Sequence, residues 1–139
     1  MANIFRSSRS GPATVLGPLE SEIMKVIWKK GQVLSVGDVH LALTGRGRDI
    51  SYSAVKAVLN NLADKAHLTK TRQSKVTLFA AEVSREAFDA NVISVVVRSL
   101  KRNYGSAVIT ELVDQLAVDK KTIAEFERLI AQRKSELKR

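Results

Sequence analysis

The sequence predicts a mainly α-helical chain with one small β-hairpin, and three observations carry that prediction. Apolar residues recur at helical spacing through most of the 139 residues. A single stretch, 68–81, switches to short runs rich in β-formers around a polar turn. Caps and glycines cut the helical stretches into separate elements rather than one long rod.

The first helix signal is Gly17-Pro18, since proline is favoured in a first turn, where its missing amide costs nothing. Leu19, Ile23, Val26, Ile27 and Lys30 then follow helical spacing until Gly31, with Trp28 as a core anchor. Ser35 caps a second helix, VGDVHLAL, in which Val36, Val39, Leu41 and Leu43 supply apolar contacts. The loop TGRGR follows, with Asp49-Ile50 as a short strand.

The third helix, from an N-cap at Ser51 to His67, has two unlike faces. Val55, Val58, Leu59, Leu62 and Ala66 make an apolar stripe with Tyr52 at its edge. Ser53, Lys56, Ala57, Asn60 and Asp64 make the other face. Solvated helix faces ordinarily carry long Glu and Lys in i,i+4 pairs. This face is short, amide-bearing and nearly free of acid, which suits close approach to base edges in a DNA major groove. An ordinary exposed helix has the same pattern, and the segment alone leaves both open.

LTKTRQ (68–73) and VTLFAA (76–81) read as a hairpin with a basic tip at Arg72 and Lys75 around Gln73-Ser74-Lys75. Helix, helix, short strand, helix, hairpin is the order of a winged helix-turn-helix, whose third helix enters the groove. Beyond it, Ser84 caps a long helix with Phe88, Val92, Val95, Val96 and Leu100 on one face. Gly105 ends that helix. Val108, Leu112, Val113 and Leu116 mark the next one. Ile123, Phe126, Leu129, Ile130 and Leu137 mark the last. Such faces need a partner. A second copy related by two-fold symmetry is the simplest one, and folding back within the chain is the alternative. The domain expectation is a disordered basic leader over 1–15, a winged domain over 16–82 and a helical dimerisation region over 83–139. Its interface residues would be Phe88, Val92, Val95, Val96, Leu100, Val108, Leu112, Leu116, Phe126, Leu129 and Ile130.

Lys and Arg number 23 against 14 Asp and Glu, a net charge of +9. That balance favours a polyanion, chiefly nucleic acid or an anionic membrane face, over a basic protein with no such partner. No apolar run reaches the roughly 18 residues of a membrane span. The N-terminal residues lack the apolar block of a secretory signal. No cysteine is present, which removes disulfides, thiolate metal sites and thiol catalysis and is compatible with a cytoplasmic location. His40 and His67 stand apart without a carboxylate cluster, so no metal is expected. The GRG at 45–47 lacks the spacing of a phosphate-binding fingerprint. Nothing here assembles an enzyme, and no cofactor is expected.

LGPLESEIMKVIWKK, the later VGDVHLAL, the SYSAVKAVLNNLADKAHL helix and VSREAF together resemble the penicillinase repressor family of BlaI/MecI type. The resemblance runs over about residues 16 to 137 and is most specific in the first 90. It implies a homodimeric winged-helix repressor that binds double-stranded DNA at a palindromic operator, dimerises through C-terminal helices and blocks β-lactamase or related genes. Some members are inactivated by a sensor protease at an Asn-Phe bond. Asp114-Gln115 stands near that place here, so the cleavage site is not matched. Copper-responsive relatives carry C-terminal cysteines, which this chain lacks. Only Phe79 keeps the wing's usual aromatic pair, and Ala66 replaces the glycine that commonly closes the recognition helix.

Ser53, Lys56, Ala57 and Asn60 are therefore expected at base edges, behind the cap at Ser51. Tyr52, Arg46, Arg48, Arg72 and Lys75 are expected on the sugar-phosphate backbone. Arg6 and Arg9 are candidates for a minor groove. A DNA-coating architectural protein would use the same charges, and an interaction adaptor that has lost DNA is the third reading.

Overall fold

The computed structural model describes residues 5, 6, 9 and 11–139, with only the backbone described at 13 and 14. The chain divides into two compact units, with the division between Val92 and Ile93.

The first unit follows the winged helix-turn-helix order. Helix α1 spans Pro18–Lys30, strand β1 Leu34–Ser35, α2 Val36–Thr44, α3 Tyr52–Asp64, β2 Leu68–Gln73 and β3 Val76–Ala81. The strands form an antiparallel sheet in the order β1-β3-β2, with Leu34 opposite Phe79 and Leu68 opposite Ala81. The sequence expectation placed the short strand at Asp49-Ile50. The structure instead uses Leu34–Ser35, and 49–50 is irregular. Leu34 is buried, so pairing with β3 satisfies its backbone while its side chain joins the core.

Local chemistry explains the ends of these helices. Glu20 Oε1 accepts from the Gly17 amide at 3.0 Å. Ser35 and Asp38 form a reciprocal capping box at 3.0 and 3.1 Å. Ser51 Oγ accepts from the Ala54 amide at 3.1 Å, and Ser84 Oγ from the Ala87 amide at 3.1 Å. Helix α3 closes with a paired motif: Ala66 N–H donates to Ala63 O at 3.0 Å and His67 N–H to Leu62 O at 2.9 Å. That motif needs a left-handed residue, and Ala66 adopts φ 64° there. The hairpin strands fall at the expected residues, and Gln73, named with the turn, is the last paired residue of β2. Gln73 pairs with Val76, so only Ser74 and Lys75 lie between the strands, both at positive φ (48° and 71°).

The core sits between the three helices and the sheet. Ile23, Met24 and Ile27 of α1, Val39 and Leu43 of α2, and Val55, Leu59 and Leu62 of α3 are essentially inaccessible to solvent. Phe79 fills the strand side. Leu41, expected to make core contacts, is instead 72% exposed, because α2 buries Val36, Val39 and Leu43 on its other face. Much of the expected leader lies outside the described residues. Of the rest, Gly11–Thr14 is a turn of 3-10 helix, and Pro12 is fully buried.

Helix α4 spans Arg85–Tyr104 and starts within the first unit. Phe88, expected at a dimer interface, is buried in the winged core. Its ring lies 5.3 Å from Trp28 and 5.6 Å from His67. Val92 packs against the same core. These two residues serve the fold of the first unit, because Trp28 Nε1 donates to Val83 O at 3.0 Å and draws the start of α4 onto α1.

The second unit holds the rest of α4, α5 (Ala107–Leu116) and α6 (Lys120–Leu137). Asp119 Oδ1 caps α6 by accepting from the Thr122 amide at 2.7 Å, and that bond holds its carboxyl below the usual range. Val108 is buried, and α6 buries no residue. Val95, Leu100, Leu116, Leu129 and Ile130 are exposed, while Val96, Leu112 and Phe126 are half-buried.

Candidate nucleic-acid interface

Helix α3 presents its expected polar stripe. Ser53, Lys56 and Ala57 are exposed and Asn60 is half-buried, at the i, i+3, i+4, i+7 spacing of one helix face. Val55, Leu59 and Leu62 anchor the opposite face at zero exposure, so the stripe is rigidly backed. At the helix start, Ser51 Oγ lies 3.3 Å from Ser53 Oγ. Tyr52 is 52% exposed, with its ring 5.9 Å from His40 and nearly perpendicular to it. His40 Nε2 meets Ile50 O at 2.8 Å. A carbonyl only accepts, so this ring nitrogen carries the proton and the imidazole fixes the loop that delivers α3.

The hairpin stands beside this helix. Residues 69–73 of β2 are all exposed, and the tip carries Arg72 and Lys75 as expected. Lys70, which sequence reasoning passed over, donates from Nζ to Asn60 Oδ1 at 2.8 Å. The signal that finds it is alternation: Lys70 shares a strand face with the buried Leu68, so it points toward α3.

Other charged groups are already engaged. Arg48 lies 3.1 Å from Glu22 Oε2, an ion pair that lacks hydrogen-bond alignment, since this oxygen has no hydrogen-bond partner. Both side chains are partly exposed, although the Glu22 oxygen itself is buried, so the pair contributes at most about 1 kcal/mol. Glu20 holds the C-terminal end of α3. Its Oε2 accepts from Asn61 Nδ2 at 3.2 Å and from Lys65 Nζ at 3.0 Å. Burial tends to raise the Glu20 pKa, but the Gly17 amide and Lys65 outweigh it and hold the carboxyl below its ordinary value. Burial, with Lys65 nearby, lowers the His67 pKa against the opposing pull of Glu20.

Arg46 has a second setting. It lines an open groove of about 840 Å³ together with Trp28, Val33, Val83 and Arg85, and none of the α3 stripe residues lines that groove. Arg6 Nη1 donates to Leu16 O at 3.4 Å, and Arg9 is exposed. Among the described residues no group of three or more metal-ligating side chains occurs. No helix there is long and apolar enough to cross a membrane.

A capped amphipathic helix, a basic hairpin at its side and a shared core make the surface of a DNA-binding winged helix. The family model of the penicillinase repressor matches residues 16–132. The chain belongs to the penicillinase repressor family. Its members are transcriptional regulators rather than a class of enzyme. The chain is similar to the transcriptional regulator BlaI of Mycobacterium tuberculosis, at 27% identity over 120 residues, covering 82% of this chain and 86% of that protein. Among solved structures, H. salinarum RosR superposes with TM-score 0.45 at 13% identity, covering 89% of this chain and 98% of that one. A MarR family protein from Bacillus stearothermophilus superposes with TM-score 0.44 at 14% identity, covering 89% and 76%. These two likenesses are too distant to carry a functional reading.

Proposed function

We propose that this repressor-family protein acts as a homodimer on a palindromic operator, with α3 of each protomer in a major groove and each hairpin against the flanking backbone. The observation that carries the reading is the α3 stripe: small, hydroxyl and amide side chains facing outward from a helix with a fully buried back. Ser53, Lys56, Ala57 and Asn60 are the residues assigned to base edges. Ser51 caps the helix that carries them. Tyr52, Arg46, Arg48, Arg72 and Lys75 are assigned to the sugar-phosphate backbone, where contacts supply affinity without sequence information.

The second unit supports the two-fold part of the reading. Val95, Leu100, Leu116, Leu129 and Ile130 expose apolar surface on helices too poorly buried to be stable alone. Val96, Val108, Leu112 and Phe126 complete the expected interface, while Phe88 is already buried in the winged core and half-buried Val92 packs against that core. The alternation of two copies then sets half-sites about 10 bp apart, or a multiple of that. The family resemblance makes β-lactamase or related genes the class of target. The soluble, cytoplasmic setting of a transcription factor belongs to the same proposal.

Footprinting of genomic fragments with excess random competitor DNA tests this. A preferred dyad site, bound about 10³-fold or more above competitor, is the expected result. Uniform coating at every salt concentration would convert the reading to an architectural DNA-binding protein. Absence of binding to any duplex at low salt would leave only a protein-interaction role.

A further inference from the structure

Asn60 does not stand free on the α3 stripe. Lys70 Nζ lies 2.8 Å from its side-chain oxygen. An ammonium has three donors and no acceptor, so the atom that meets it is the amide oxygen and the amide nitrogen is turned away. The bond joins the hairpin to the recognition helix across ten residues of sequence. Lys70 is exposed, and its strand partner in the sheet is the buried Phe79, which fixes the strand face from which it rises.

The consequence for base reading is chemical. A free asparagine offers one donor and one acceptor side by side, the pattern that pairs bidentately with adenine N7 and N6–H. Here the oxygen lies against a cation. What the pair offers outward is two amide N–H groups and the remaining ammonium N–H groups. Guanine presents two adjacent acceptors, N7 and O6, in the major groove, whereas adenine places an N–H donor where guanine has O6. We propose that Lys70 and Asn60 form one composite donor edge that selects guanine over adenine at one base pair of each half-site. This inference rests on the reading of α3 as the groove-facing helix. It makes Lys70 a specificity-determining residue rather than a phosphate contact.

Selection of bound duplexes from a randomised library, with the purified full-length chain at fixed salt, tests it. The wild type is expected to enrich guanine at one position per half-site. Lys70→Met frees the Asn60 oxygen and is expected to shift that position alone toward adenine, by about tenfold in the guanine-to-adenine ratio. Lys70→Arg keeps the donors and is expected to keep guanine. Asn60→Ala is expected to weaken the preference at the same position. Both side chains lie outside the hydrophobic core, and unchanged thermal melts verify that the variants fold. If Lys70→Met weakens every sequence alike and lowers the salt slope with the preference unchanged, Lys70 is a phosphate contact and the proposal fails. If Lys70→Met and Asn60→Ala alter different positions, or adenine is preferred by the wild type, the proposal fails while sequence-specific binding stands. If the wild type enriches no motif at all, the functional reading fails first and takes this inference with it.

Discussion

Ala66→Gly should stabilise the first unit, although glycine usually weakens a folded chain. Ala66 follows the end of α3 at φ 64°, and its amide and that of His67 close the helix on Ala63 O and Leu62 O. An L-residue in the left-handed region costs about 1–2 kcal/mol, because Cβ crowds the following carbonyl. Ala66 is exposed, so its methyl group offers little burial in return. Glycine removes the crowding but enlarges the unfolded ensemble, a loss of about 0.4–1 kcal/mol. The balance is a gain of roughly 0.5–1 kcal/mol. The same chemical change at Ala57, exposed inside α3 where φ is ordinary, should instead cost about 1 kcal/mol. Urea unfolding followed by far-UV circular dichroism, without DNA and at one protein concentration, reads both. The midpoints should move in opposite directions with the slope unchanged. Equal destabilisation by the two substitutions would refute the claim that α3 ends on a strained alanine.

Phe88→Ala should destabilise the winged unit by about 3–5 kcal/mol, as for other buried aromatics, and shift Trp28 fluorescence to the red. Leu129→Ala, on the exposed side of α6, should leave that unit's stability alone and raise the dimer dissociation constant in sedimentation. A Phe88 effect confined to self-association would reverse our assignment. The lowered His67 pKa sets a pH dependence: the unfolded chain protonates first, so stability is full above about 6.5 and is lost as pH falls through the folded value. Denaturant titrations between pH 7.5 and 5 should show this loss, and His67→Gln should flatten it. Lys56→Ala should cost about 1–3 kcal/mol on the operator and relax base preference, whereas Arg72→Ala should weaken all duplexes alike and reduce the salt slope by about one. Competition binding at several salt concentrations separates the two patterns.

Several features were legible because their causes are local. The Ser35, Ser51 and Ser84 caps, the helix stop at Gly31 and the two faces of α3 depend on residues within a turn or two of each other. Ala66 stands out only through the family resemblance, whose usual glycine it replaces. The local pattern carries the helix to His67 with Ala66 on its apolar stripe, whereas α3 ends at Asp64 and Ala66 is exposed at φ 64°. The hairpin was legible from its β-formers, and its strands fall at 68–73 and 76–81 as expected. Gln73, named with the turn, pairs with Val76, and Ser74 and Lys75 take positive φ without being the glycines that advertise a tight turn. Leu41 and the supposed strand at Asp49-Ile50 misled because hydrophobicity alone does not say which side of a short helix finds a core.

By itself the sequence determined the helical registers, the caps, the basic charge and the amide-bearing stripe. All of these arise from interactions between near neighbours along the chain or from composition. Tertiary structure alone decided that β1 pairs with β3, that Phe88 packs against Trp28 and His67, and that Lys70, whose strand face alternation gives, reaches Asn60. Those contacts join residues whose chain separation carries no periodic signal. They form only when the core has closed and brought distant backbone segments within bonding reach.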